Sequence, residues 1–96
     1  MSEILVTRKH QLAARKAKAA AVEVADSLRD EFSLNYEWVD AGLLRFYGVG
    51  VRGELALARG EVTVHVHLGF LLLPLRGALE REIHRYFDER FGPPAA

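Results

Sequence analysis

The sequence predicts an α+β domain: a four- to five-stranded, mainly antiparallel sheet with two helices on one face, in the order β-α-β-β-β-β-α. Three observations carry this prediction. Between Gln11 and Phe32 the apolar side chains recur every three or four residues, the period of a helix face. From Leu34 to Leu68 the period falls to two, and glycine-bearing turn signals interrupt it at 40–42, 48–50 and 59–60. A second helical stripe then runs from Leu75 to Phe91 and meets a strong stop at Gly92-Pro93-Pro94. Ninety-six residues are enough for one core and too few for two, so 1–96 is read as a single domain.

The first strand is the β-branched, apolar run EILVT, residues 3–7. In the first helix Ala14, Ala17, Ala21, Ala25, Leu28 and Phe32 form one stripe, and its alanines let the axis lie close to whatever it covers. Four strands follow. Leu34, Tyr36 and Trp38 alternate with Asn35 and Glu37; Leu44 and Phe46 oppose Leu43, Arg45 and Tyr47. Val51, Gly53, Leu55 and Leu57 oppose Arg52, Glu54 and Ala56, and Val62, Val64, Val66 and Leu68 oppose Glu61, Thr63, His65 and His67. Each strand has one oily and one mixed face, as in an antiparallel meander covered on one side. In the final helix Leu75, Leu79, Ile83, Tyr86, Phe87 and Phe91 make the buried stripe, and Pro74 suits the first turn because it has no N–H to lose there.

Composition narrows the function classes. Half the residues are hydrophobic and 27% are charged, as in ordinary globular proteins. The absence of cysteine excludes disulfides, thiolate nucleophiles and Cys-based metal sites, and fits a reducing cytoplasm, the expected location. MSEILVTRKH does not read as a signal peptide, and no apolar run approaches the roughly 20 residues of a membrane span. A net charge of zero argues against a dedicated nucleic-acid binder. The zero conceals a basic cluster, Arg8, Lys9, Arg15, Lys16 and Lys18, set against the single acid Glu3 in the first twenty residues. Without interleaved aromatics for base stacking, the cluster fits an anionic surface better than nucleic acid, and the plain alternative is a solvated helix face.

Catalysis finds little support. The aliphatic hydroxyls of Ser2, Ser27, Ser33, Thr7 and Thr63 lie in no nucleophile elbow, and GVGVRG leads into a strand instead of a phosphate-binding helix. His65 and His67 are two apart, so on a strand both imidazoles leave one face, a spacing that suits metal ligation. A site needs a third ligand, for which Glu54 or Glu61 are the cross-strand candidates. The plain reading is two imidazoles on a solvated face, and neither metal nor cofactor is predicted.

LGFLLLPLRG, residues 68–77, is the most apolar stretch. If the alternation continues through Gly69, Phe70 and Leu72 point inward while Leu71 and Leu73 share the outer face with His65 and His67, joined there by Leu43 and Tyr47. Leaving a leucine in water forgoes about 1.5–3 kcal/mol, so an exposed pair implies a partner. If instead the chain leaves the strand at Gly69, all three leucines fold into the helix–sheet junction.

Thr7-Arg8-Lys9-His10 with Leu12, Gly50-Val51-Arg52-Gly53, Leu68-Gly69-Phe70-Leu71-Leu72 with Pro74, and Glu80, Glu82 and Ile83 occur here in one order. Together they resemble the polyhydroxyalkanoic acid system proteins, a family of small proteobacterial proteins, over about Leu5 to Phe91. Gln11, in place of a small residue, and Leu75-Arg76, in place of an aromatic–lysine pair, depart from that pattern. The resemblance implies a role in storage-polyester metabolism at the granule surface and brings no catalytic residues with it. The expectation is therefore a non-catalytic interaction protein whose outer sheet face meets a partner chain, a second copy or the granule. The alternative is a carrier or small enzyme holding a fatty-acyl-like ligand between sheet and helices.

Overall fold

The structure, a computed structural model, describes residues 2–92 and has the predicted order of elements. These are β1 (Ser2–Lys9), α1 (Ala14–Phe32), β2 (Asn35–Asp40), β3 (Leu43–Gly48), β4 (Val51–Ala58), β5 (Glu61–Leu68), a 3₁₀ turn (Phe70–Leu75) and α2 (Arg76–Phe91). The five strands form one antiparallel sheet in the order β1-β5-β4-β3-β2. The meander of β2 to β5 follows from its short turns. The long-range step is the return of the last strand beside the first, with Ser2 opposite Leu68 and Lys9 opposite Glu61. This pairing extends β1 by two residues beyond the β-branched run, because Arg8 and Lys9 find partners in Val62 and Glu61.

Both helices pack on the same sheet face. α1 buries Ala17, Ala20, Ala21, Val24, Ala25 and Leu28, while Ala14, in its first turn, is exposed. The small side chains let the helix lie close to the sheet, and Val24, Leu44, Leu55, Val64, Ile83 and Phe87 are all withdrawn from water. These side chains form one buried cluster between the helices and the sheet. Within the sheet, Gly53 lies close to the neighbouring strand: a Cβ there would meet the backbone oxygen of His65 at 2.6 Å.

Alternation ends at Leu68. The Gly69 N–H donates to the Gly50 carbonyl in the β3–β4 turn (2.8 Å), and the Leu72 N–H donates back to the Gly69 carbonyl (3.0 Å). These bonds turn the chain out of the sheet and into the 3₁₀ turn. Phe70 and Leu75, expected in the core, are instead exposed, Phe70 at 71%. Only Leu72 packs against the core, close to Gly50. Leu71 and Leu73 are exposed, but beyond the end of β5 and not on its outer face. Neither expected path of the stretch is followed whole. Pro74 also sits within the 3₁₀ turn, ahead of an α2 that begins at Arg76. No helix among the described residues is long and apolar enough to cross a membrane.

Candidate functional site

Strand periodicity determines what the uncovered sheet face presents. Ile4, Val6 and Arg8 of β1 turn inward, so Glu3, Leu5, Thr7 and Lys9 turn outward. The register then builds rows across the face: Glu3–His67–Arg52–Tyr47–Asn35, next to Leu5–His65–Glu54–Arg45–Glu37. A third row holds Thr7, Thr63, Ala56 and Leu43. Leu43 is half-buried and Tyr47 is exposed, so these two predicted contact residues do share the open face. Arg45 and Glu54 approach to 3.8 Å, a solvated pair that adds little stability.

Leu71 and Leu73 lie elsewhere, at the end of the sheet where the β3–β4 turn meets the 3₁₀ turn. Leu71 is 78% and Leu73 40% exposed, and Phe70, Leu75 and Val49 of the β3–β4 turn are exposed with them. Val49 and Leu75 also border an apolar groove of about 210 Å³ floored by Val51, Leu68, Leu72 and Leu79. That volume is below the ~300–1,000 Å³ of drug-sized ligand pockets. A wider groove of about 610 Å³ opens at the other end of the strands, between His10, Leu12, the start of α1 and the turns at Gly42 and Gly60. His10 uses Nδ1 to accept the Leu12 N–H (3.1 Å), while its Nε2 is buried without a partner among the described residues.

The basic cluster separates. Arg8 is a core residue, 6% exposed: its guanidinium donates to Asp88 Oδ1 at 2.6 Å and to the Gly92 carbonyl at 3.0 Å, with His84 Nδ1 at 3.5 Å. The expectation of an exposed Arg8 is therefore corrected. Pairing with β5 carries the inward parity of Ile4 and Val6 two residues further, to Arg8. A cation beside the last turn of α2 is where the helix dipole favours it. Lys9 lies on the outer sheet face, whereas Arg15, Lys16 and Lys18 are exposed on α1, with Lys18 Nζ 4.8 Å from the centre of the Trp38 ring.

The two strand histidines are brought to a third group. Glu3 Oε1 lies 3.3 Å from His65 Nε2 and 3.1 Å from His67 Nδ1. Neither Glu54 nor Glu61 fills that place. Glu3 was missed because only the β1–β5 register brings it there. On the helix side, Tyr86 donates its hydroxyl to Glu31; burial first, then this hydrogen bond, pushes its phenol well above the ordinary range. Tyr36 is raised likewise, chiefly by its hydrogen bond to Asp26.

The family model described as "Putative polyhydroxyalkanoic acid system protein" matches residues 4–91, nearly all of the chain. The chain belongs to this family. No curated protein matches it. Membership in the polyhydroxyalkanoic acid system family links the chain to storage-polyester metabolism, and the matched span contains the whole sheet face from Ile4, both helices and the apolar end. Of the residues that carried the resemblance, Gly50 and Gly69 turn out to be hydrogen-bonded to each other, holding that end together.

Proposed function

We propose that this member of the polyhydroxyalkanoic acid system family is a non-catalytic interaction protein. It contacts a hydrophobic partner through the apolar end of the sheet, with the open face and Tyr47 alongside. The observation that carries this reading is the exposure of Phe70, Leu71, Leu73 and Val49 together at one end, beside the buried core. Apolar side chains concentrated in this way are costly to keep in water unless something covers them. They project from turns instead of lining a deep cavity, so an extended apolar surface, such as polyester or the coat of a granule, suits them better than a small molecule. The Arg15, Lys16 and Lys18 side chains of α1 would add attraction to acidic groups there.

The test is the double substitution Leu71→Asp and Leu73→Asp. Co-sedimentation with polyhydroxyalkanoate granules should be lost while the fold, followed by circular dichroism, is retained. If granule binding survives and a dimer of the unsubstituted protein is lost, the partner is a second copy. If neither granule recovery nor oligomeric state changes, the apolar end is not a contact surface and the reading fails.

A further inference from the structure

We propose that Glu3, His65 and His67 form a binding site for a divalent transition-metal ion, with zinc the occupant best matched by the ligand chemistry. Imidazole nitrogen and carboxylate oxygen are the ligands that, with thiolate, hold zinc in proteins. Three such ligands with a remaining position for water is the usual composition of an open, non-structural zinc centre. One ring nitrogen from each of His65 and His67 and a Glu3 carboxylate oxygen all lie within 4.8 Å of one another. Two of the separations, 3.1 and 3.3 Å, nearly match the edge of a tetrahedron built on metal–ligand bonds of about 2.0–2.1 Å, which is roughly 3.3–3.4 Å. Seating an ion then requires the two ring nitrogens to come to the same spacing, a matter of side-chain rotation on a fixed backbone.

The backbone holds these groups in place. The histidines are two apart on β5, so the pleat sends both to the uncovered face, and their rings lie 4.4 Å apart between centroids. Pairing of Glu3 with His67 in the β1–β5 ladder sets the carboxylate against both rings. Arg76, the first residue of α2, donates to the Glu3 carbonyl at 3.1 Å and fixes that end of β1. Both imidazoles approach the same Glu3 carboxylate oxygen. A dication bound to neutral imidazoles satisfies all three groups at once. Across the next strand, Arg52 stands opposite His67 and Glu54 opposite His65, so the flanking charges are of opposite sign.

The test is titration of Zn²⁺ into tag-free, chelator-treated full-length protein. Calorimetry gives the affinity, and the histidine ring signals in NMR give the location. One ion per chain should bind saturably, shifting His65 and His67 and leaving His10 and His84 unmoved. His65→Ala, His67→Ala and Glu3→Gln should each weaken binding by at least about tenfold, since even supporting residues around a metal are worth that much. All three side chains are on the exposed face, so unchanged circular dichroism is expected to confirm folding. The proposal is overturned by absence of saturation at millimolar Zn²⁺ or by shifts at His10 or His84 instead. Unchanged affinity in any one of the three variants would overturn it equally.

Discussion

β5 and the turn that follows it are adjacent, equally rich in aliphatic side chains, and opposite in fate. Val62, Val64, Val66 and Leu68 lie under the two helices, whereas Phe70, Leu71, Leu73 and Leu75 are exposed. Hydrophobicity does not separate them. What separates them is a neighbouring strand: β5 is paired on both sides, by β1 and β4, and its inward face is fixed against α1 and α2. At Gly69 the ladder ends in a bond to Gly50, and of the apolar residues in the turn beyond it only Leu72 packs against the core. Burial is thus a property of the pairing a segment achieves, and apolar residues left outside it are free to serve contacts with other molecules.

The largest effect expected from this contrast comes from placing the same side chain in both regions. Val64→Asp would put an unpaired carboxylate at a site with no solvent contact, at a cost of about 4 kcal/mol or more, a large share of a small domain's stability. Chemical denaturation should find this variant unfolded or close to it. A stable, folded Val64→Asp protein would mean that β5 is not the centre of the core.

The Arg8 contact gives a smaller effect, because only one side of that pair is buried. Asp88→Ala leaves a withdrawn guanidinium with the Gly92 carbonyl but without its carboxylate. Breaking a fully buried pair costs about 3–5 kcal/mol; since Asp88 is half-exposed and water can take its place, about 1–3 kcal/mol is expected. Urea unfolding midpoints measure this, and no loss would show that Arg8 is held by packing of its stem alone.

Tyr86 gives a still smaller, pH-dependent effect. Its folded-state phenol is raised by burial and by Glu31, so the stability it contributes is full below the ordinary tyrosine value of about 10. As pH climbs above that value the unfolded chain releases the proton first, and stability falls until the folded phenol also ionises. Tyr86→Phe should cost about 0.5–1.5 kcal/mol at neutral pH, discounted because Glu31 is partly solvated. It should also flatten the alkaline loss; an unchanged alkaline slope would remove Tyr86 from that role.

The same contrast explains how far the sequence could be read. Element order and the inward positions of β3, β4 and β5 were legible because each rests on local periodicity and on glycine turns. Arg8 lay past the β-branched run, and its inward place follows once pairing with β5 carries the parity of Ile4 and Val6 two residues further. Two features depend on contacts between segments far apart in the chain. Glu3 meets His65 and His67 only through the register of β1 on β5. Phe70 is exposed only because Gly69 bonds to Gly50 and not onward along the ladder. A glycine there signalled a possible break, without the direction the chain would take after it.

Leu71→Asp is the counterpart of Val64→Asp and should have the smallest effect on folding. A side chain 78% exposed loses little when it becomes polar, so its stability should change by no more than about 0.5 kcal/mol in either direction. Urea midpoints of the two variants, measured together, place the boundary of the core between positions 64 and 71. A loss near 2 kcal/mol at Leu71 would mean that the 3₁₀ turn folds back onto the domain in solution. The contact residues of the apolar end would then reduce to Val49 and its neighbours. A neutral result leaves Leu71 without a part in holding the fold, the condition that the proposed contact role requires of it.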